Sequence, residues 1–151
     1  MSVGIGYDSH RFAEGRRLIL GGVEIEHARG LAGHSDADVL THAVIDALLG
    51  AAGMGDIGTL FPDDEDRWRD ADSIDLLRTV VGTVSGRIVN VDATLVCEEP
   101  RIGPFRAEME RILAEVTSAR VSVKATTNEG MGWIGRGEGI ACIAVASVDS
   151  E

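Results

Sequence analysis

Aromatic side chains are scarce in this chain: three Phe, two Trp and one Tyr among 151 residues. A core built on rings is excluded, so it must come from Ala, Val, Ile and Leu, and burial between subunits becomes a reasonable additional source of stability. Cysteine is nearly absent as well. Cys97 and Cys142 each sit inside an apolar run, far apart and with no Cys-x-x-Cys spacing, so both read as buried thiols and not as a disulfide or ligand pair. Positive charge is in deficit, with 14 Lys and Arg against 25 Asp and Glu and a net charge of −11. That balance repels nucleic acid and anionic membranes, so neither is expected as a partner. No apolar run approaches membrane-spanning length, and the opening MSVGIGYDSHRF has neither a basic start nor a long apolar stretch. A cytoplasmic protein follows.

What is present is ordinary globular material, 44% hydrophobic and 26% charged, of a length that suits one domain over residues 1–151. Ser2 to Arg11 alternates as a strand, and Ile19 to Ile25 is a second extended piece interrupted by Gly21-Gly22. Asp36 to Gly53 predicts a helix, with Ser35 or Asp36 as its cap and Gly53 as its stop. Gly55 to Asp66 reads as a loop. Helical spacing returns over Asp72 to Val84 and Arg106 to Val116. Strands are expected where Val89, Val91, Ala93, Leu95 and Cys97 alternate, over Val121 to Ala125, and over Ile140 to Val148 after the glycine-rich Gly130 to Gly139. The order predicts an α+β fold, a two-layer sandwich of a mixed β-sheet with helices on one face.

Three residues stand out as candidate metal ligands. Asp8 and His10 are two apart on a predicted strand, so their side chains leave one face together. His42 lies on the following helix, and an Asp, His, His set leaves a tetrahedral ion one open position, the pattern of a catalytic zinc. A helical His beside Ala and Val can equally be a packed core residue. Asp38 and Asp46, four residues to either side of His42, are placed to accept its other N–H, or are plain solvated carboxylates. His34-Ser35-Asp36 precedes the helix, where free N–H groups favour an anion, although a simple cap explains Ser35 as well. Asp56-Ile57-Gly58 and Phe61-Pro62-Asp63 lie in the loop, where Asp56 can meet a substrate hydroxyl or Phe61 can merely pin the segment to the core. Lys124 to Glu129 ends a strand with a cation, two hydroxyls and a carboxylate, groups suited to a diphosphate and a divalent ion. Gly135 to Gly139 reads as a turn with an Arg136–Glu138 ion pair.

Taken together, Asp8-Ser9-His10, His34 to Asp38, His42, Asp46 to Gly50, Gly55 to Gly58, Phe61-Pro62-Asp63, Lys124 to Thr127 and Gly135 to Gly139 closely resemble the 2-C-methyl-D-erythritol 2,4-cyclodiphosphate synthase family over essentially the whole chain. The resemblance implies conversion of 4-diphosphocytidyl-2-C-methyl-D-erythritol 2-phosphate to the 2,4-cyclodiphosphate with release of CMP, in non-mevalonate isoprenoid biosynthesis. It implies zinc on Asp8, His10 and His42, and a second ion, magnesium or manganese, on Glu129. His34 and Thr127 match transition-state-stabilising positions, Ser35, Asp56 and Gly58 match those that meet the erythritol part, and Ile57, Phe61, Pro62 and Asp63 match further substrate-binding positions. Cys97 to Gly103 with Pro100 and Arg101, together with Thr126, match the cytidine-binding region, and Asn128, Trp133 and Arg136 lie at substrate-binding positions. A homotrimer with sites between subunits is implied, with a central cavity suited to an isoprenoid diphosphate near Arg136 and Glu138. The chain departs from the family's common residues at Ser9, Asn128 and Trp133, and Glu98-Glu99 makes the cytidine loop more acidic. The same ligand set also suits a metal-dependent phosphohydrolase, in which bound water attacks phosphorus.

Overall fold

Strand β1 (Ser2–Ala13) sets the architecture, because one face of it carries in succession Gly4, Gly6, Asp8 and His10, two glycines and two metal-type ligands. A computed structural model describes residues 1–149. After β1 come β2 (Leu18–Leu20) and β3 (Val23–Ile25), a small separate antiparallel pair, then β4 (Gly30–Leu31) and helix α1 (Val39–Ala52). Helices α2 (Ile57–Leu60) and α3 (Ser73–Thr83), strand β5 (Arg87–Val96), helix α4 (Arg106–Thr117), strand β6 (Arg120–Thr126), the short helix α5 (Gly132–Gly135) and strand β7 (Gly139–Asp149) complete the order. The main sheet runs β4-β1-β7-β5-β6. Only β5 and β6 are parallel, and α4 supplies the crossover that a parallel pair needs. The fold is the expected mixed sheet with helices on one face.

Helix α1 is apolar almost all round, as befits a helix enclosed on every side. It lies on β1 at contact distance: a Cβ on Gly4 would stand 2.1 Å from the Ala47 carbonyl oxygen, and one on Gly6 1.9 Å from that of Ala43. Glycine there lets the helix backbone rest on the strand backbone. Further along the same face come Asp8 and His10. The helix ends where expected, with Gly53 in the left-handed conformation at φ 68°. Its start differs from expectation: the cap is Asp38, which accepts the Thr41 N–H, and residues 36 and 37 lie outside the helix.

The inward rows of β5, β6 and β7, such as Leu95, Val123 and Ala144, complete one buried apolar cluster with α1, α3 and α4. Val89 is out of phase with that row, because a bulge between Ile88 and Asn90 makes Ile88 the buried residue. Cys97 and Cys142 are free and buried, and burial pushes both thiols up, Cys97 to about 11. Among the described residues the outer face of the sheet is exposed and apolar along β1 and β7, and polar along β5 and β6, where Lys124 pairs with Asp92. Val3, Ile5 and Tyr7 stand opposite Ser147, Val145 and Ile143, with Ile5 70% exposed.

Candidate metal centre and substrate cleft

On β1 the period of two turns Asp8 and His10 to the helix side, and α1 presents His42 from its first turns. Asp8 Oδ2 lies 2.8 Å from His10 Nε2 and 3.2 Å from His42 Nδ1, and the two imidazole nitrogens are 3.3 Å apart. The 3.2 and 3.3 Å separations lie close to the ligand spacing of about 3.3–3.4 Å that tetrahedral bonds of about 2.0–2.1 Å require, while the 2.8 Å one is shorter, at hydrogen-bond length. The opposite ring nitrogens are engaged, His10 Nδ1 with the Ala32 carbonyl at 2.8 Å and His42 Nε2 with Ser73 Oγ at 2.8 Å and Ser35 Oγ at 3.1 Å. Each ring is thus held from behind with its other nitrogen aimed at a common point, as metal-binding histidines are. The donor chemistry fits a divalent ion, and these three residues form a group that could hold one. Burial opposes the charge on Asp8, but bonds and charge from His10 and His42 outweigh it and hold the carboxyl below its ordinary value. His10 is likewise opposed by burial and raised by Asp8.

The expected partners of His42 do something else. Asp38 is fully buried and turns its carboxylate to the β2–β3 turn, accepting the Gly21 and Gly22 N–H groups at 2.8 Å each, besides the Thr41 N–H and hydroxyl. Asp46 accepts the Ile57 N–H at 2.8 Å and so fixes the start of α2. Both depart from the expectation because Asp38 lies outside the helix and Asp46 is drawn off by a free N–H. Sequence reasoning missed Ser73, which stands 31 residues from His42 with no local signal. Nor are the N–H groups before α1 free for an anion, since Asp36 N donates to Ala71, Ala37 N to Ser35 Oγ and Asp38 N to Asp36.

Asp8, His10, His34, Ser35 and His42 line a cleft of about 380 Å³ with Ile57, Gly58, Phe61 and Asp63. The segment read as a loop contains helix α2, capped by Asp56, whose carboxyl is held below its usual value by the Thr59 hydroxyl and N–H. Phe61 is buried edge-to-face on Trp68 with ring centres 4.9 Å apart, so it both pins the segment and walls the cleft. His34 Nε2 meets the Glu65 carbonyl at 3.2 Å. Trp68 Nε1 is the one buried side-chain donor without a partner among the described residues.

The remaining candidates gather elsewhere. Pro100, Arg101, Thr126 and Thr127 line a second cleft of about 360 Å³, and Asn128 and Glu129 form the turn beside it. Glu98 does not make this cleft merely acidic: its Oε1 accepts the Asn128 and Gly130 N–H groups at 3.2 and 2.9 Å and shapes the turn that carries Glu129. Trp133 borders a smaller cleft with Ser9, His10, Arg11 and Glu138, while Arg136 is ion-paired to Glu138 at 2.7 Å. Asp8, Cys142, Leu95 and Ala125 form one row across the sheet. Three strand spacings, about 14 Å, therefore separate the candidate metal ligands from the Thr126–Glu129 end within one chain.

Comparison with known proteins follows the whole length of this geometry. The 2-C-methyl-D-erythritol 2,4-cyclodiphosphate synthase of Symbiobacterium thermophilum is 58% identical over 154 residues, covering 98% of each chain. Among solved structures, the bifunctional IspDF from Campylobacter jejuni superposes with a TM-score of 0.92 at 40% identity, covering 96% of this chain and 41% of its own. A 2C-methyl-D-erythritol-2,4-cyclodiphosphate synthase in a CDP-bound form superposes at 0.87 with 35% identity, covering 97% of this chain and 99% of its own. The model of the YgbB family matches residues 1–149, and with these relatives the chain belongs to that family.

Proposed function

We propose that the protein is a 2-C-methyl-D-erythritol 2,4-cyclodiphosphate synthase of non-mevalonate isoprenoid biosynthesis, acting in the cytoplasm as a single domain. The observation that carries this reading is the Asp8, His10 and His42 donor set opening onto a cleft that also holds His34. In the reaction an oxygen of the 2-phosphate bonds to the β-phosphorus of the cytidyl substrate. The bond from that phosphorus to the bridging oxygen breaks, and its electron pair leaves with CMP. No protein nucleophile enters, so the residues bind, align and neutralise. Asp8, His10 and His42 would hold zinc and Glu129 magnesium or manganese, ions that would lend Lewis acidity to the phosphate oxygens.

His34 and Thr127 donate hydrogen bonds as charge gathers on the transferring group. Ser35, Asp56, Ile57, Gly58, Phe61, Pro62 and Asp63 take the erythritol part. Pro100, Arg101, Thr126 and Asn128 take cytidine, and Trp133 and Arg136 close the site. Because about 14 Å of sheet separates the two clefts of one chain, the working site pairs the metal cleft of one subunit with the cytidine cleft of the next. A homotrimer would do this and cover the apolar β1–β7 part of the sheet's outer face, leaving a central cavity as the place for an isoprenoid diphosphate.

Incubation of purified protein with the cytidyl substrate, zinc and magnesium is expected to give CMP and a cyclic diphosphate by phosphorus NMR. CMP with a linear phosphate would mean a hydrolase and end the proposal.

A further inference from the structure

We infer that Asp36 and Ser73 fix the tautomer of His42 and so deliver its Nδ1 lone pair to the metal position, an inference that rests on reading Asp8, His10 and His42 as a metal site. Ser73 is fully buried at the start of α3. Asp36 accepts from it twice, Oδ2 from the Ser73 N–H at 3.0 Å and Oδ1 from the hydroxyl in a short bond. Asp36 is itself oriented by the Asp38 N–H at 3.1 Å. A carboxylate accepts only, so the Ser73 hydroxyl proton points at Asp36. What Ser73 Oγ offers His42 Nε2, 2.8 Å away, is then a lone pair, and Nε2 must be the donor. An imidazole protonated at Nε2 is bare at Nδ1, the atom that faces Asp8 Oδ2 and His10 Nε2.

Two competitors are weaker. Ser35 Oγ, 3.1 Å from the same Nε2, already accepts the Ala37 N–H, and among the described residues no carboxylate directs its own proton. Asp8 could draw a proton onto Nδ1, but its Oδ2 stands closer to His10, at 2.8 Å against 3.2 Å. Asp36 and Ser73 are therefore positioning residues that act through His42. Their effect reaches Nδ1 without touching substrate, and neither belongs to the residues proposed above to bind it.

The test uses three variants. Ser73→Ala removes the acceptor. Ser73→Thr keeps the hydroxyl. Asp36→Asn, with its carbonyl on the Ser73 N–H, turns an amide N–H to the hydroxyl and reverses its direction. Zinc affinity, measured by competition with a chromophoric chelator, is expected to fall about 10–100-fold in Ser73→Ala and Asp36→Asn and to be largely retained in Ser73→Thr. Long-range proton–nitrogen spectra of the metal-free protein, recorded at alkaline pH, are expected to report His42 protonated at Nε2 in wild type and Ser73→Thr, and a tautomer mixture in the other two.

Unchanged zinc affinity in Ser73→Ala overturns the inference. So does a wild-type spectrum with the proton on Nδ1, which decides the matter even if the Ala variant fails to fold. Neither readout involves substrate, so a protein that passes both and still makes no cyclic product refutes the proposed reaction and leaves this inference standing.

Discussion

Asp38 illustrates how much one side chain ties together. Its carboxylate caps α1 through Thr41 and holds the β2–β3 turn through Gly21 and Gly22, all from a fully buried position. Burial pushes its pKa up, against the pull of the Thr41 N–H. Asp38→Ala strands several buried N–H groups at once, so a loss of about 2–4 kcal/mol is expected in urea unfolding. The metal ligands make a pH prediction. In the metal-free protein Asp8 lies below its ordinary 3.8 and His10 above its ordinary 6.5. The Asp8 contribution to stability is full above 3.8 and lost as pH falls through its lowered pKa, while that of His10 is full below 6.5 and lost as pH rises through its raised one. The pair therefore supports the metal-free fold most between those two values. Metal must displace the His10 proton, so affinity is expected to weaken as pH drops from above 6.5, with proton release measurable by calorimetry in buffers of different ionisation enthalpy. The two strand ligands were legible because the period of two is local. The Ser73 contact was not, because the chain runs through α1 and α2 before the start of α3 brings Ser73 between His42 and Asp36.

At the scale of elements, the contact of α1 with β1 decides where the metal ligands meet. Gly6→Ala would drive a Cβ into the Ala43 carbonyl, 1.9 Å away, and lift the helix turn that carries His42. Stability should fall by about 3 kcal/mol, and zinc affinity should fall with it. Gly82→Ala in α3, where an added Cβ meets nothing within 4 Å, should instead gain about 0.5 kcal/mol by reducing unfolded-state freedom. Thermal unfolding of the two variants beside wild type checks both signs. The long elements were readable from their apolar spacing, which survives over three turns or five strand residues. Helix α2, four residues long, has too little length for a period and starts where Asp46 and Asp56 receive its N–H groups, one of them from another helix. The bulge at Val89 was hidden because a valine suits either face.

For the whole molecule, the uncovered side of the sheet is the main fact. Val3, Ile5, Tyr7, Ile143 and Val145 form a contiguous apolar surface that a lone chain would expose to water. Ile5→Asp is expected to shift the proposed trimer to monomers in light scattering, with cyclic product lost and zinc binding on the opposite side of β1 retained. Scarcity of aromatics hinted at such burial in the sequence. Strand order did not show there, because β1 pairs with β7, the far end of the chain, and nothing local to either announces it.

The sheet row from Asp8 to Ala125 carries a genetic consequence. Two defective alleles should cure each other: a His42→Ala chain retains a sound Thr127 end, and a Thr127→Ala chain retains sound metal ligands. Random co-assembly in equal amounts would pair the two intact halves at about one quarter of the interfaces, so mixing two dead proteins under exchange conditions should recover about that share of wild-type turnover.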